Sequence, residues 1–278
     1  MSGHDAGRQV TVIEPEAGWR WPDLRSLWTH RELLWVLAAR DVRVRYKQTL
    51  AGVGWAVLTP LAMLAVFSLV FGRVARLPSD GLPYPLFAFA GLVPWLLFSA
   101  TLSAAAGSLL RAEQLVTKVW FPRLVIPVAA AGPAVVDLGI AMTLLAGLAL
   151  AHGVVPGPGL VVVPILLLTV AVLGVGIGAG LAAMTALYRD VAHAFPFLVQ
   201  LWMLATPVVY PASMFPPEWR PVLWLNPVAG LVEATRGALL GRAVDGTGLA
   251  VSLAVGLTLA ALGLVAFTRL ERRVADVV

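Results

Sequence analysis

Side chains able to do chemistry are few and badly placed for catalysis. The four histidines, His4, His30, His152 and His193, share no metal-ligand spacing, and the absence of cysteine excludes disulfides and thiolate metal sites. There is no G-x-x-x-x-G-K-[ST] phosphate loop, no H-E-x-x-H and no G-x-S-x-G. Glycines at 174, 176, 178 and 180 alternate within an apolar run, but Ala179 breaks the G-x-G-x-x-G pattern of a nucleotide loop. Close helix packing through small residues explains them better. Asp137 is the one carboxylate inside an apolar segment long enough to cross a bilayer. An ionised group at that depth costs roughly 2.5–3.5 kcal/mol and is a functional candidate by default. We favour a structural role for it, as a hydrogen-bonding partner of a neighbouring helix.

The dense chemistry is cationic. Arg40, Arg43, Arg45 and Lys47 precede an uncharged run that begins near Leu50, and basic residues beside a membrane helix are retained on the cytoplasmic side. The chain has 278 residues, 59% of them hydrophobic and 13% charged, with a mean hydropathy of +0.86. That is room for about five to seven crossings of about 20 residues each. The net charge of +5 does not point to nucleic acid, because the basic residues cluster beside membrane segments.

Two regions follow, and both are expected to be helical. Residues 1–48 form a polar cytoplasmic lead and an interfacial amphipathic helix from His30 to Gln48, with Thr29 and Glu32 at capping-box spacing. Residues 49–278 form a membrane domain with six crossings at about 50–71, 86–106, 124–150, 160–188, 193–210 and 249–268. A cytoplasmic loop occupies 107–123. Pro211 to Gly246 is too polar to span and too apolar for a solvated loop, so short helices are expected to dip back into the membrane there. With both termini inside, fifteen of the twenty Lys and Arg residues fall on the cytoplasmic side and five outside, in accord with the positive-inside rule.

Two further sets of residues have open roles. The aromatics entering the second crossing, from Tyr84 to Trp95, suit interfacial anchoring or the lining of a path for a sugar-bearing lipid. Lys118, Trp120, Phe121 and Arg123, with Pro122 between them, suit an interfacial anchor or a compact projection that docks another protein.

Six strings carry a resemblance: RDVRVRYKQTLAG from Arg40, YPLFAFAGLVPW from Tyr84, KVWFPRLVIP from Lys118, YRDVAHAFPFLVQLW from Tyr188, TPVVYP from Thr206 and LNPVAGLVEATRGALLG from Leu225. In that order they resemble the ABC-type permeases that export polysaccharides, including O-antigen, capsule and teichoic acid exporters. The likeness covers nearly the whole chain after about Leu27.

The resemblance implies an all-α integral membrane protein with six crossings, an interfacial amino-terminal helix and re-entrant outer helices. It implies a homodimer of permease chains that binds no cofactor itself, with ATP and Mg on two copies of a separate ATPase subunit. Gln114, Leu115, Lys118, Trp120, Phe121 and Pro122 would belong to the coupling element seated on that ATPase, which the interfacial helix with Arg40, Arg43, Arg45 and Lys47 would also face. Tyr84, Trp95, Phe98, Trp202 and Tyr210 are candidates for the translocation path, and Pro211, Phe215, Trp219, Asn226, Pro227, Glu233 and Arg236 for the outer gate. The implied location is the bacterial inner membrane, and the implied cargo a lipid-linked glycan. An exporter of a smaller amphiphile shares this pattern, whereas an intramembrane enzyme of glycan assembly would need more ionisable groups at depth than Asp137.

Overall fold

The computed structural model describes residues 24–47, 53–118, 121–154 and 157–277, and every regular element among them is helical. Helices α1 (Leu24–Thr29) and α2 (Arg31–Lys47) lead into α3 (Val53–Phe67), which continues as a π-helical segment over Ser68–Val74. Then come α4 (Tyr84–Ala106), α5 (Ser108–Arg111), α6 (Glu113–Lys118), α7 (Val125–Ala130) and α8 (Gly132–Ala151). A 3₁₀ turn at Pro158–Val162 opens α9 (Val163–Leu187), followed by α10 (Arg189–Leu204), α11 (Arg220–Trp224), α12 (Ala229–Leu240) and α13 (Gly246–Val277).

Five stretches are long and apolar enough to cross a membrane: Gly54–Val74, Tyr84–Ala106, Val125–Ala151, Pro158–Leu187 and Gly246–Glu271. They coincide with five of the six expected crossings, and the start of the first, at 50–52, lies outside the described residues. The segment expected at 193–210 is shorter. Its helix, α10, begins earlier, after the extended residue Tyr188, and ends at Leu204. Sixteen residues reach about 24 Å, less than a hydrocarbon core of about 30 Å. The helix stops because Thr206 donates to the Trp202 carbonyl and Asn226 donates to the Ala205 carbonyl, while Pro207 has no amide proton to continue the ladder.

Helix α9 is the centre of the bundle, packed along α4 on one side and α13 on the other. Its alternating glycines make this possible, since residues four apart share a helix face. A Cβ at Gly174 would lie 3.1 Å from the Phe98 carbonyl oxygen, and one at Gly178 would lie 2.7 Å from that of Leu102, both on α4. On the other face, a Cβ at Gly176 would lie 2.7 Å from the Ala260 Cβ, and one at Gly180 2.6 Å from the Gly263 Cα, both on α13.

A second core gathers at the end of the bundle that holds α2, α5 and α7. Leu37, Leu109, Phe121, Leu124, Val125 and Phe267 are buried together there, with Leu33, Leu34 and Leu115 packed against them. The amino-terminal helix therefore docks on the bundle as well as presenting Trp28 and Trp35 outward. Thr29 does not cap it, contrary to the capping-box expectation. Its hydroxyl donates to the Arg25 carbonyl as the last residue of α1, and the His30 amide continues the ladder to Ser26, so α1 runs on into α2 with only a turn at His30.

Candidate functional site

Two polar constructions stand out in this apolar bundle. The first lies between α4, α12 and the segment at 206–212. Arg236 on α12 is only 3% exposed, and its guanidinium donates at 2.7 Å to the carbonyls of both Pro207 and Val208 and at 3.0 Å to Glu233 Oε1. The same carboxylate oxygen accepts from the Ala212 amide at 2.8 Å, so one ion pair fixes a whole irregular segment. The guanidinium also lies 4.0 Å from the centre of the Phe87 ring, within cation–π range. Gly91 makes room for it, since a Cβ there would fall 2.1 Å from Arg236 Nη2.

Asn226 braces the neighbouring turn. Its side-chain oxygen accepts from Trp202 Nε1 at 3.0 Å and from the Val228 amide at 3.1 Å, and its nitrogen donates to the Ala205 carbonyl and to Thr206 Oγ1. Ser252 on α13 ties in the rest, accepting from the Gly230 amide and donating to the Trp224 carbonyl. Helix α12 is buried along almost its whole length against α4, α9 and α13, and closes on Gly241 at φ +68, a conformation glycine adopts without strain.

The five aromatic candidates fall in three places. Trp95 and Phe98 are buried in the core, and Phe98 meets Trp202 edge-on at 5.1 Å. Within one chain, then, Trp95 and Phe98 face inward and only half-buried Trp202 carries the aromatic line toward the surface. Tyr84 donates to the Val209 carbonyl at 2.8 Å, and Tyr210 stacks at a tilt against Phe215. Of the outer-gate candidates, Pro211, Pro227 and Arg236 are buried, while Asn226, Glu233 and Phe215 are half-buried. Trp219 is 62% exposed.

The second construction joins α2 to α8. Asp137 receives the Tyr46 hydroxyl on Oδ1 and pairs with Arg45 through Oδ2 at 2.6 Å. Burial first, then the hydrogen bond to Asp137, pushes the Tyr46 phenol up to about 12, so it stays a proton donor at any physiological pH. Beside this group lies a cleft of about 820 Å³, with Arg40, Asp41, Arg45 and Arg111 among its lining and apolar residues of α7, α8 and α10 below them. Arg40 pairs with Asp41 at 2.9 Å, Arg43 donates to the Ala39 carbonyl, and Lys47 is exposed at the end of α2.

Residues of the expected coupling element divide. Gln114 is exposed on α6, Lys118 ends that helix, and Leu115 is half-buried against the second core. Phe121 is 8% exposed and packs inward in the second core. Its burial follows from Pro122, whose carbonyl accepts from the Val125 amide and turns the chain into α7. Trp120 lies outside the described residues. Tyr46 and Gly91 carry these sites but were not singled out in the sequence. Only Gly91 left a signal, as an isolated glycine in a helical run, where close backbone approach is the common cause.

The family model described as ABC-2 type transporter matches residues 32–240. The chain is 31% identical over 214 residues to the O-antigen export system permease protein RfbA of Myxococcus xanthus, covering 76% of this chain and 81% of that one. It is 23% identical over 247 residues to an O-antigen export system permease protein RfbA of Klebsiella pneumoniae, covering 88% and 95%. A shorter match, 29% over 73 residues and 26% of this chain, is to the polysialic acid transport protein KpsM of Escherichia coli.

Proposed function

Because this chain belongs to the ABC-2 type transporter family, we propose that it is the membrane-spanning half of an ATP-driven exporter that moves a polysaccharide or lipid-linked glycan out of the cytoplasm. The observation that carries this reading is the likeness to O-antigen export permeases over 81% and 95% of their lengths. ATP and Mg belong to a separate ATPase subunit, a reading supported by membership of the ABC-2 family and the likeness to export permeases.

Two copies of the chain form the path. Helix α3 leaves Trp55, Leu58, Leu61 and Val66 exposed, and α10 leaves Phe197, Leu198, Leu201 and Leu204 exposed. These apolar faces suit a second copy or lipid. The short α10 together with residues 205–210 is the fifth of six crossings, and α11 and α12 return into the membrane from the outer side, held by Arg236 and Asn226. Both termini are cytoplasmic, in the bacterial inner membrane. Residues 113–118 and the amino-terminal helix face the ATPase, and the segment from Pro211 to Gly246 forms the outer gate.

Deleting the chain in its host tests the cargo. Lipid-linked glycan should accumulate in the cytoplasmic leaflet and the surface glycan should disappear. An unchanged surface glycan, with loss of efflux of a small amphiphile instead, would contradict this reading.

A further inference from the structure

We propose that Asp137 is a positioning residue through which movement of the amino-terminal helix is passed into the third crossing, with Arg45 as its releasable partner. The inference rests on the ATP-driven exporter reading and assigns a role within it. Both carboxylate oxygens of Asp137 are engaged by α2, one by Tyr46 and one by Arg45.

Besides its packing on α7, α2 is attached to α8 at two unlike points. At one, α2 touches α8 through small residues, since a Cβ on Gly132 would sit 3.0 Å from that of Ala38, beside buried Leu37. Arg45 lies seven residues further along α2, about 10 Å at 1.5 Å per residue. The first contact is apolar and behaves as a pivot. The second is an ion pair with side chains 53% and 23% exposed and enclosed in neither apolar core, so it can open and reform without unpacking one.

Arg45 also stands between two spaces. It lines the 820 Å³ cleft and, with Tyr46 and Asp137, a second cavity of about 390 Å³ bounded by Trp55, Thr59 and Pro60 of α3. Arg45, Ser99, Ala100 and Ala134 line both. Parting Arg45 from Asp137 removes the longest side chain of that partition, so rotation of α2 about the Ala38 contact links the cleft to the space behind the first crossing.

The test uses the permease–ATPase complex in inverted membrane vesicles, comparing glycan exported with ATP hydrolysed. Couplings between elements typically change a linked equilibrium by roughly 5- to 150-fold. Asp137→Asn keeps an acceptor for Tyr46 but loses the charge for Arg45, and is expected to lower export per ATP by roughly tenfold with assembly intact. The exchanged pair, Arg45→Asp with Asp137→Arg, should recover at least part of that loss, whereas a merely structural pair would change the amount of assembled complex and leave the ratio of export to hydrolysis unmoved. If Asp137→Asn accumulates poorly, Arg45→Gln at the half-exposed end must show the same lowered ratio. A wild-type ratio in either single variant, or an exchanged pair no better than the singles, overturns the proposal. Failure of the unsubstituted complex to hydrolyse ATP would instead overturn the exporter reading.

Discussion

Arg236 sits where a cation has no water to solvate it, and two backbone carbonyls, a carboxylate and an aromatic face take water's place. Removing one partner of a buried pair leaves the other uncompensated, at a cost of about 3–5 kcal/mol. Arg236→Ala is therefore expected to lower the unfolding midpoint of the detergent-solubilised protein sharply, and Arg236→Lys to restore little, because an ammonium cannot reach both carbonyls and Glu233 as a planar fork does. Gly91→Ala should behave similarly by pushing the guanidinium aside. Trp219→Ala offers the contrast. Its exposure places the stability change within about 0.5 kcal/mol, so a loss of export in that variant would belong to a gate role alone. Phe121→Ala is a poor probe of docking, since emptying a buried site costs about 3–5 kcal/mol. Gln114→Ala with Trp120→Ala is the better one, and reduced recovery of the ATPase with a folded permease is the expected result. Sequence placed Glu233, Arg236 and Asn226 in one functional stretch. It could not tell that Arg236 points inward, because that depends on a glycine 145 positions earlier in the chain.

At the scale of elements, the alternating glycines of α9 divide into two packing faces, and single substitutions separate them. Gly180→Val should split α9 from α13, because backbone atoms of Gly263 already stand where a Cβ would go. Gly147→Ala on α8 meets nothing within 4 Å and should leave the unfolding midpoint unchanged or slightly raised, as alanine favours helix by about 1 kcal/mol. Five crossings were legible because long apolar runs bounded by charge leave a strong signal. The helix of the fifth segment, Arg189–Leu204, has other bounds than the apolar run at 193–210. The apolar character runs on to Tyr210, but Thr206, Pro207 and the side chain of Asn226, twenty residues later, stop the helix at Leu204. A reporter fused to the carboxyl terminus should be found inside, and one placed at Glu218 outside. The reverse pair would contradict the six-crossing topology.

For the whole molecule, the proposed exporter of two permease copies accords with three features of this chain. The first crossing is mostly exposed apolar surface, the aromatic line through Phe98 and Trp202 reaches the surface beside α10, and the second core gathers the helices expected to meet an ATPase. None of this could be drawn from periodicity, because a face that meets lipid and a face that meets a second copy are equally apolar. The most direct measurement is native mass spectrometry of the tagged chain purified gently from its own membrane, with ATP hydrolysis assayed on the same sample. Two permease chains bound to two ATPase subunits, hydrolysing ATP, is the result expected. A chain that emerges alone, with neither ATPase nor hydrolysis, would contradict the account.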